Sequence, residues 1–318
     1  MAERVIPVVD LSKFTNGSKE EKTAFVKKLG DAFHNVGFVG VTNHGISKQL
    51  IENFYKASKD FFSLPVEIKK KYEVAGAAGQ RGYTSFGKEH AKQSQVADLK
   101  EFYQLGQEVE SKEDPMFGAY AINDPVAETP DFVRLGKELY RSFEKSGSAL
   151  LQAIAIHLDL GSDYFQEKIK NGTSILRAIH YPPITQEPKS AIRAERHEDI
   201  NLITLLVGAS AGGLELLNMQ DEWLPITPEE DEIVVNVGDM LQRLTNNYLK
   251  STTHRVVNPP KHEWHRPRLS IPFFLHPKSE MDLSCLEACI TEKRPLAYEP
   301  ITAGGYLDQR LREIGLKK

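Results

Sequence analysis

Apolar residues recur at helical spacing in the first half of the chain and at strand-like spacing in the second half. The longest helical pattern runs from 130 to 160, where apolar residues three and four positions apart predict one helix packed on a sheet. Inside it, the Ser-Gly-Ser sequence at 146–148 predicts a weak point. Two shorter helices are predicted to begin at Ser18 and Ser47, because serine caps helix N-termini well, and the first is expected to run to Leu29.

Short apolar runs rich in β-branched residues dominate the chain from residue 175 onward, and glycine and proline separate them. Many short strands with dense turns predict a sandwich or a barrel. A brief helix is predicted at 238–242 and an amphipathic one at 306–316. The predicted strands are 5–11, 37–41 and 99–105 in the first part, and 175–181, 201–207, 214–218, 222–226, 232–237, 251–257 and 269–275 in the second.

The stretch from 76 to 87 contains four glycines together with Arg81, Tyr83 and Phe86. It has neither the Lys-Ser/Thr pair of a P-loop nor a G-x-G-x-x-G sequence, so it is not predicted to bind a nucleotide phosphate. Its composition favours a mobile lid over a pocket.

Composition and charge narrow the range of partners. The chain has 318 residues and a formal net charge of −4, and it has no long basic block, so no nucleic-acid partner is expected. It shows no signal peptide and no apolar run of membrane-spanning length. Its two cysteines, Cys285 and Cys289, do not fit a secreted disulfide framework. We therefore expect a cytoplasmic protein, monomeric or weakly homo-oligomeric, with a small-molecule substrate.

The candidate chemistry centres on His197 and Asp199. Two positions apart on an extended strand, the two side chains point to the same face, and the apolar run 200–207 that follows is expected to hold them rigidly. His254 begins another strand-like run. Two histidines and one carboxylate on one side of an ion leave its other positions open, which is the facial triad of non-haem Fe(II) oxygenases.

With these residues the chain resembles the Fe(II)- and 2-oxoglutarate-dependent dioxygenases of the isopenicillin N synthase-like group. The resemblance covers nearly the whole chain and is specific because several motifs occur together. They are the opening Ile6-Pro7-Val8-Val9-Asp10-Leu11, the segment Gly37 to Gly45, Tyr181 before Pro182-Pro183, His197-x-Asp199, His254, and Arg268-x-Ser270.

The resemblance implies an α+β fold, mainly β, with a double-stranded β-helix (jelly-roll) core, flanking helices and an N-terminal α/β extension. The implied domains are 1–120, the N-terminal domain of the family, and 121–318, the dioxygenase core. The core is expected to contain a spine helix, the β-helix at about 172–280 and a C-terminal helix.

The resemblance also implies the activity. Such enzymes are oxidoreductases that couple the oxidative decarboxylation of 2-oxoglutarate, giving succinate and CO2, to hydroxylation, desaturation or cyclisation of a small organic substrate. The implied cofactor is Fe(II), with 2-oxoglutarate and O2 as co-substrates. By residue, the resemblance assigns Fe(II) to His197, Asp199 and His254, and the far carboxylate of 2-oxoglutarate to Arg268, Ser270 and Tyr181, with Arg266 as the second choice for the arginine.

The substrate pocket is less well specified. Tyr83, Phe86, Phe102 and Phe274 are candidate wall residues, and Arg81 is a candidate for contact with an anionic group. Three alternatives stay open at this stage: an oxidase of the same fold that does not use 2-oxoglutarate, a non-catalytic binding module, and a zinc hydrolase, since two histidines and a carboxylate also bind zinc.

Overall fold

The computed structural model describes residues 4–77, 79–89, 97–188, 190–208 and 210–313. Ser18 and Ser47 are N-caps, as predicted, and Ser18 forms a capping box with Glu21. Among the helices of the described ranges, none combines the length and the apolarity that crossing a membrane requires. The helices are α1 Leu11–Thr15, α2 Lys19–Asn35, α3 Lys48–Phe62, α4 Val66–Lys69, α5 Pro130–His157, α6 Gln166–Ile169, α7 Asp239–Leu244 and α8 Ala303–Glu313.

The strands concentrate in the second half of the chain, as the apolar pattern predicts. They are β1 Val8–Asp10, β2 Phe38–Thr42, β3 Gly82–Thr84, β4 Glu101–Gly106, β5 Ile175–Tyr181, β6 Ala194–His197, β7 Ile203–Val207, β8 Leu214–Leu217, β9 Trp223–Pro225, β10 Ile233–Val237, β11 His254–Val256 and β12 Arg268–Leu275.

These strands form two facing sheets. The larger has the order β1-β2-β10-β7-β12-β5-β4-β3, and the smaller has the order β6-β11-β8-β9. Apart from β1 and β2, neighbouring strands are antiparallel. The predicted α+β class with a jelly-roll core is confirmed. Because β1 to β4 belong to the same sheet as the later strands, the domain boundary at 120/121 stays a prediction.

Helix α5 packs on the outer face of the larger sheet. Phe143 of α5 stacks on Phe273 of β12 with ring centroids 5.3 Å apart, and both rings are fully buried. The predicted weak point at 146–148 was wrong, because α5 is continuous there. Gly147 instead allows a close approach: a Cβ atom on it would lie 2.4 Å from Cδ1 of Leu275.

Two other predicted elements differ from the structure. Within the predicted lid, residues 82–84 form β3, which is buried at the edge of the larger sheet. The lid prediction was wrong for these residues. It rested on the four glycines of the stretch, but Gly82 adopts a left-handed backbone conformation (φ +66°) at the start of a strand. Helix α8 begins earlier than predicted, at Ala303, and residues 314–316 lie outside the described residues.

Replacing Phe143 tests how strongly helix α5 packs on the larger sheet. Replacing Phe143 with alanine removes a fully buried ring and is expected to lower the free energy of unfolding by about 3–5 kcal/mol. Urea denaturation followed by circular dichroism measures this. Phe117, which is 50% exposed, provides the control, and its replacement by alanine is expected to change stability by less than about 0.5 kcal/mol. Equal losses in the two variants would contradict this packing account.

Candidate metal centre

A cavity of about 890 Å³ lies between the two sheets. Every second residue of β12 faces it, beginning with Arg268 and Ser270 and ending with Phe274, because side chains alternate along a strand. His197, Asp199 and His254 line the same cavity. The cavity therefore joins the predicted metal ligands to the predicted co-substrate residues.

The three predicted ligands come together from two neighbouring strands and the turn that follows one of them. His197 is the last residue of β6, and His254 is the first of β11 and lies directly opposite it in the ladder. One ligand atom from each of the three residues lies within 4.8 Å of the others. The distances from Oδ1 of Asp199 to Nε2 of His197 and of His254 are 4.0 and 3.9 Å. These separations are too long for hydrogen bonds and short enough for one ion to be bound between them.

The backbone fixes which nitrogen of each histidine faces the centre. Nδ1 of His197 lies 2.7 Å from the carbonyl oxygen of Glu195, and Nδ1 of His254 lies 3.2 Å from that of Thr252. A carbonyl oxygen only accepts hydrogen bonds, so each Nδ1 carries the proton. In the neutral imidazole, each Nε2 then has a free lone pair directed to the centre, which is the form in which a histidine binds a metal ion.

Asp199 is oriented by two buried donors. The hydroxyl of Thr204 donates to Oδ2 of Asp199 at 2.6 Å, and the amide of Asn236 donates to the same oxygen at 2.8 Å. Oδ1 is left to face the histidines. Burial by itself raises the pKa of Asp199, but the neighbouring histidines and these two hydrogen bonds hold it below its usual value. The carboxylate is therefore charged and preoriented.

The segment that carries Asp199 is not the strand that the sequence predicts. Strand β6 ends at His197, and β7 begins only at Ile203. Asn201 stabilises the intervening turn, because its amide donates to the carbonyl oxygen of Ile203 and to the hydroxyl of Thr204. The expectation that Asp199 shares an extended strand with His197 was wrong, although both side chains still face the same cavity.

The predicted co-substrate residues lie at one end of the cavity. Arg268 pairs with Tyr181 across β12 and β5, and its guanidinium carbon lies 5.0 Å from the centre of the tyrosine ring. Its Nε donates to the carbonyl oxygens of Ala211 and Gly212 at 3.1 and 3.2 Å. Its Nη1 is buried and has no hydrogen-bond partner among the described residues. A buried unsatisfied N–H is costly, and a bound carboxylate would satisfy it.

The predicted wall residues are divided by the structure. Phe274 lines the cavity. The other three predicted wall residues are not among those that line it. Tyr83 donates a hydrogen bond to Glu101, and Phe86 is 49% exposed. The ring of Phe102 is covered by the guanidinium of Arg177.

The two remaining arginine candidates also lie elsewhere. Arg81 lines a separate, smaller cavity next to Tyr103. Arg266, the second choice for the co-substrate, is exposed at the surface and lies 3.4 Å from Glu263. Of the predicted lid, only Gln80 reaches the main cavity among the described residues.

The end of the cavity opposite Arg268 contains polar residues that the sequence interpretation missed. Arg177 stacks between Phe102 and Phe274, and its Nε donates to Gln104 at 2.9 Å. His276 is buried, and its Nε2 has no hydrogen-bond partner among the described residues. His276 could have been found from the sequence by continuing the alternation along β12 from Arg268. Lys100, Glu89 and Asp98 also line the cavity, where Lys100 forms buried ion pairs with the two carboxylates.

The bond from Thr204 to Asp199 leads to a prediction. Replacing Thr204 with valine keeps the shape of the side chain but removes the donor, so we expect the affinity for Fe(II) to fall about 10- to 100-fold. Anaerobic competition with a chromophoric chelator measures the affinity. Replacing Thr84, a buried threonine of β3, with valine is the control and is expected to leave the affinity unchanged. An unchanged affinity in the Thr204 variant would show that its hydroxyl does not orient the carboxylate.

Comparisons with known proteins match this chain to one family over most of its length. Residues 6–128 match the family described as the N-terminal region of the non-haem dioxygenase in morphine synthesis, and residues 172–277 match the 2OG-Fe(II) oxygenase superfamily. A solved 2OG-Fe(II) oxygenase family protein from Caulobacter crescentus is 42% identical, with a TM-score of 0.87 over 98% of this chain and 100% of that chain.

Two further relatives are described with a bound molecule or an activity. A full-length Neurospora crassa protein, solved in complex with alpha-KG and thymine, is 31% identical, with a TM-score of 0.84 over 98% of this chain and 97% of that chain. The proline hydroxylase buaE of Petromyces alliaceus is 31% identical, over 95% of this chain and 97% of its own length.

Proposed function

Because the chain belongs to the 2-oxoglutarate–Fe(II) oxygenase superfamily, and is thus an oxidoreductase that requires Fe(II) and 2-oxoglutarate, we propose that His197, Asp199 and His254 hold its Fe(II). The donor set supports this assignment. Two imidazoles and one carboxylate converge from one side, and the remainder of the cavity lies open on the other side. Bound iron would supply the activation of O2 and the oxidation of the substrate.

The protein side of the proposed chemistry is binding and orientation. Arg268 would bind the far carboxylate of 2-oxoglutarate through the Nη1 that has no partner among the described residues, and the hydroxyls of Ser270 and Tyr181 would donate hydrogen bonds to the same group. Arg268 and Ser270 share a strand face, and Tyr181 lies opposite Arg268. The co-substrate would then extend from this end of the cavity to the three ligands and couple its decarboxylation to substrate oxidation.

The substrate would occupy the opposite end, beside Phe274, Arg177 and His276. Phe274 offers an aromatic face, and the unpartnered Nε2 of His276 offers a polar contact. In the charged group nearby, Lys100 and Arg177 are balanced by Glu89 and Asp98. This end therefore suits a small molecule with both a flat or apolar part and polar groups, a class that includes the thymine in the complex of the Neurospora crassa relative. Hydroxylation is the reaction we propose for it, as the name of the proline hydroxylase relative also suggests.

One observation carries the proposal: three ligand atoms within 4.8 Å of one another share a cavity with a buried, unpartnered guanidinium N–H. Anaerobic optical titration of the Fe(II) protein with 2-oxoglutarate tests it. A weak visible charge-transfer band that saturates would support chelation of the 2-oxo acid at iron. Iron binding without a band would favour an oxidase that does not use 2-oxoglutarate, and absence of iron binding would contradict the metal assignment.

The remaining proposals concern organisation and location. We propose that residues 121–318 form the oxygenase core and that residues 1–120 form the N-terminal domain, which the separate family matches at 6–128 and 172–277 support. We also propose a cytoplasmic location, a small-molecule substrate as the main partner and a monomeric or weakly homo-oligomeric state. The two free cysteines fit a reducing compartment.

A further inference from the structure

Two arginines are buried next to the proposed co-substrate end, and neither forms an ion pair with a residue that the structure describes. Arg268 is 1% exposed and Arg193 is 2% exposed. Among the described ranges, no carboxylate lies within salt-bridge distance of either guanidinium. Glu263 interacts with Arg193 only through its charge at a distance. Its side chain lies near the surface, where it pairs with Arg266. Two neighbouring positive charges are therefore buried without a negative partner among the described residues.

The two guanidiniums are arranged around one ring. The guanidinium carbon of Arg268 lies 5.0 Å from the centre of the Tyr181 ring, and that of Arg193 lies 5.9 Å from the same centre. Nη2 of Arg193 donates to the carbonyl oxygen of Arg266 at 3.0 Å, while its Nε is buried without a partner among the described residues. The residue that follows, Ala194, lines the cavity. Arg193 therefore lies directly behind the wall that Tyr181 and Ala194 form.

This arrangement is unfavourable in the absence of an anion. Burying a charge costs free energy unless an opposite charge compensates it, and two like charges add their repulsion. Burial and the charge of Arg268 together lower the pKa of Arg193 to about 10. An anion bound at Arg268 would lie within range of both guanidiniums, because an interaction between charges in a poorly solvated site extends over several ångströms.

We propose that Arg193 is a second positive group of the co-substrate site, which raises the affinity for a 2-oxo acid with a far carboxylate without touching that carboxylate. This inference rests on the proposed function. Arg268 would bind the carboxylate directly, and Arg193 would act on it through the electrostatic field, from behind the Tyr181 ring. Arg193 is thus a positioning residue, and its effect depends on the charge at the far end of the ligand.

The dependence on ligand charge makes the proposal testable with two ligands. 2-Oxoglutarate has a far carboxylate, whereas 2-oxovalerate has a methyl group in its place and the same 2-oxo acid end. Both are titrated anaerobically into the Fe(II) protein, and the dissociation constants are taken from the charge-transfer band. In the Arg193→Gln variant we expect binding of 2-oxoglutarate to weaken about tenfold and binding of 2-oxovalerate to change by less than about twofold.

Two further variants separate charge from structure. Arg193→Lys keeps the charge and is expected to keep most of the preference for 2-oxoglutarate. Arg266→Gln removes an arginine charge from the exposed surface nearby and is expected to leave both constants unchanged, because solvent screens that charge. Thermal unfolding without ligand identifies any variant that fails to fold. If the Arg193→Gln protein does not fold, the Arg193→Lys protein provides the test. The ratio of its dissociation constants for 2-oxovalerate and 2-oxoglutarate is then compared with that of the wild-type protein.

Each outcome has a defined meaning. Equal weakening of both ligands in Arg193→Gln, or no weakening of 2-oxoglutarate, would overturn the inference, as would loss of the preference in a folded Arg193→Lys protein. These outcomes leave the proposed function intact, because the wild-type protein still gives the band. If the wild-type protein gives no band with either ligand, the proposed function itself fails.

Discussion

Replacing Asp199 with alanine is expected to abolish both tight Fe(II) binding and the conversion of 2-oxoglutarate to succinate, while the protein stays folded. The carboxylate is the one anionic ligand of the proposed site, and two buried donors hold it in place. Its loss removes a ligand outright, so the effect is expected to exceed the about 10- to 100-fold that loss of an outer hydrogen bond costs. Iron is measured by anaerobic chelator competition, and succinate is measured by chromatography.

The histidines extend the same test. His197→Ala and His254→Ala are expected to lose iron in the same way, because each removes a free Nε2 directed at the centre. His262→Ala is the matched control, since this histidine lies at the surface with 79% of its side chain exposed. Circular dichroism and thermal unfolding establish that the variants fold. Turnover that persists in folded Asp199→Ala and His197→Ala proteins would rule out the metal assignment.

The elements with the clearest sequence patterns were predicted best. Strand β5 has the predicted bounds, and β10 and β12 differ by one residue at their first position. Helix α5 begins at the predicted residue, Pro130. Long apolar runs and repeated helical spacing predict such elements because burial of one face determines them locally. The three residues that residue type and spacing predict as metal ligands also lie together in the structure.

The elements that were missed depend on distant partners. Strands β3 and β6 have three and four residues, and they form because β4 and β11 pair with them. Strand pairing between residues far apart in sequence leaves no local signal. The same limit explains why Tyr83 was wrongly predicted as a pocket wall residue. In the sheet its side chain is buried and donates a hydrogen bond to Glu101.

Some missed site residues did have a signal. Thr204 and Asn236 are the polar residues inside the otherwise apolar strands β7 and β10. A buried polar side chain in such a strand needs a partner, and both find it in Asp199. Arg193 gave no comparable signal, because a single arginine before a short strand is usually exposed. Only the three-dimensional arrangement shows that it is buried near Arg268.

Replacing Arg268 with methionine is expected to weaken 2-oxoglutarate binding by about 2–5 kcal/mol, a factor of roughly 30 to several thousand in the dissociation constant. Methionine keeps much of the buried volume but removes the positive charge and the N–H that has no other partner among the described residues. The anaerobic charge-transfer titration measures the constant. The affinity for Fe(II) is expected to stay within about twofold, because Arg268 is not one of the three ligands.

The control variant for this prediction is Arg266→Met, two residues earlier and exposed at the surface. It is expected to leave 2-oxoglutarate binding unchanged, since solvent screens the charge of an exposed arginine. The opposite result, with binding lost in Arg266→Met and kept in Arg268→Met, would transfer the co-substrate role to Arg266. Because 2-oxoglutarate would then meet no direct positively charged partner at the buried end of the cavity, the role of Arg193 would fail with it. The proposed roles of Arg268 and Arg193 therefore both depend on whether Arg268→Met weakens 2-oxoglutarate binding.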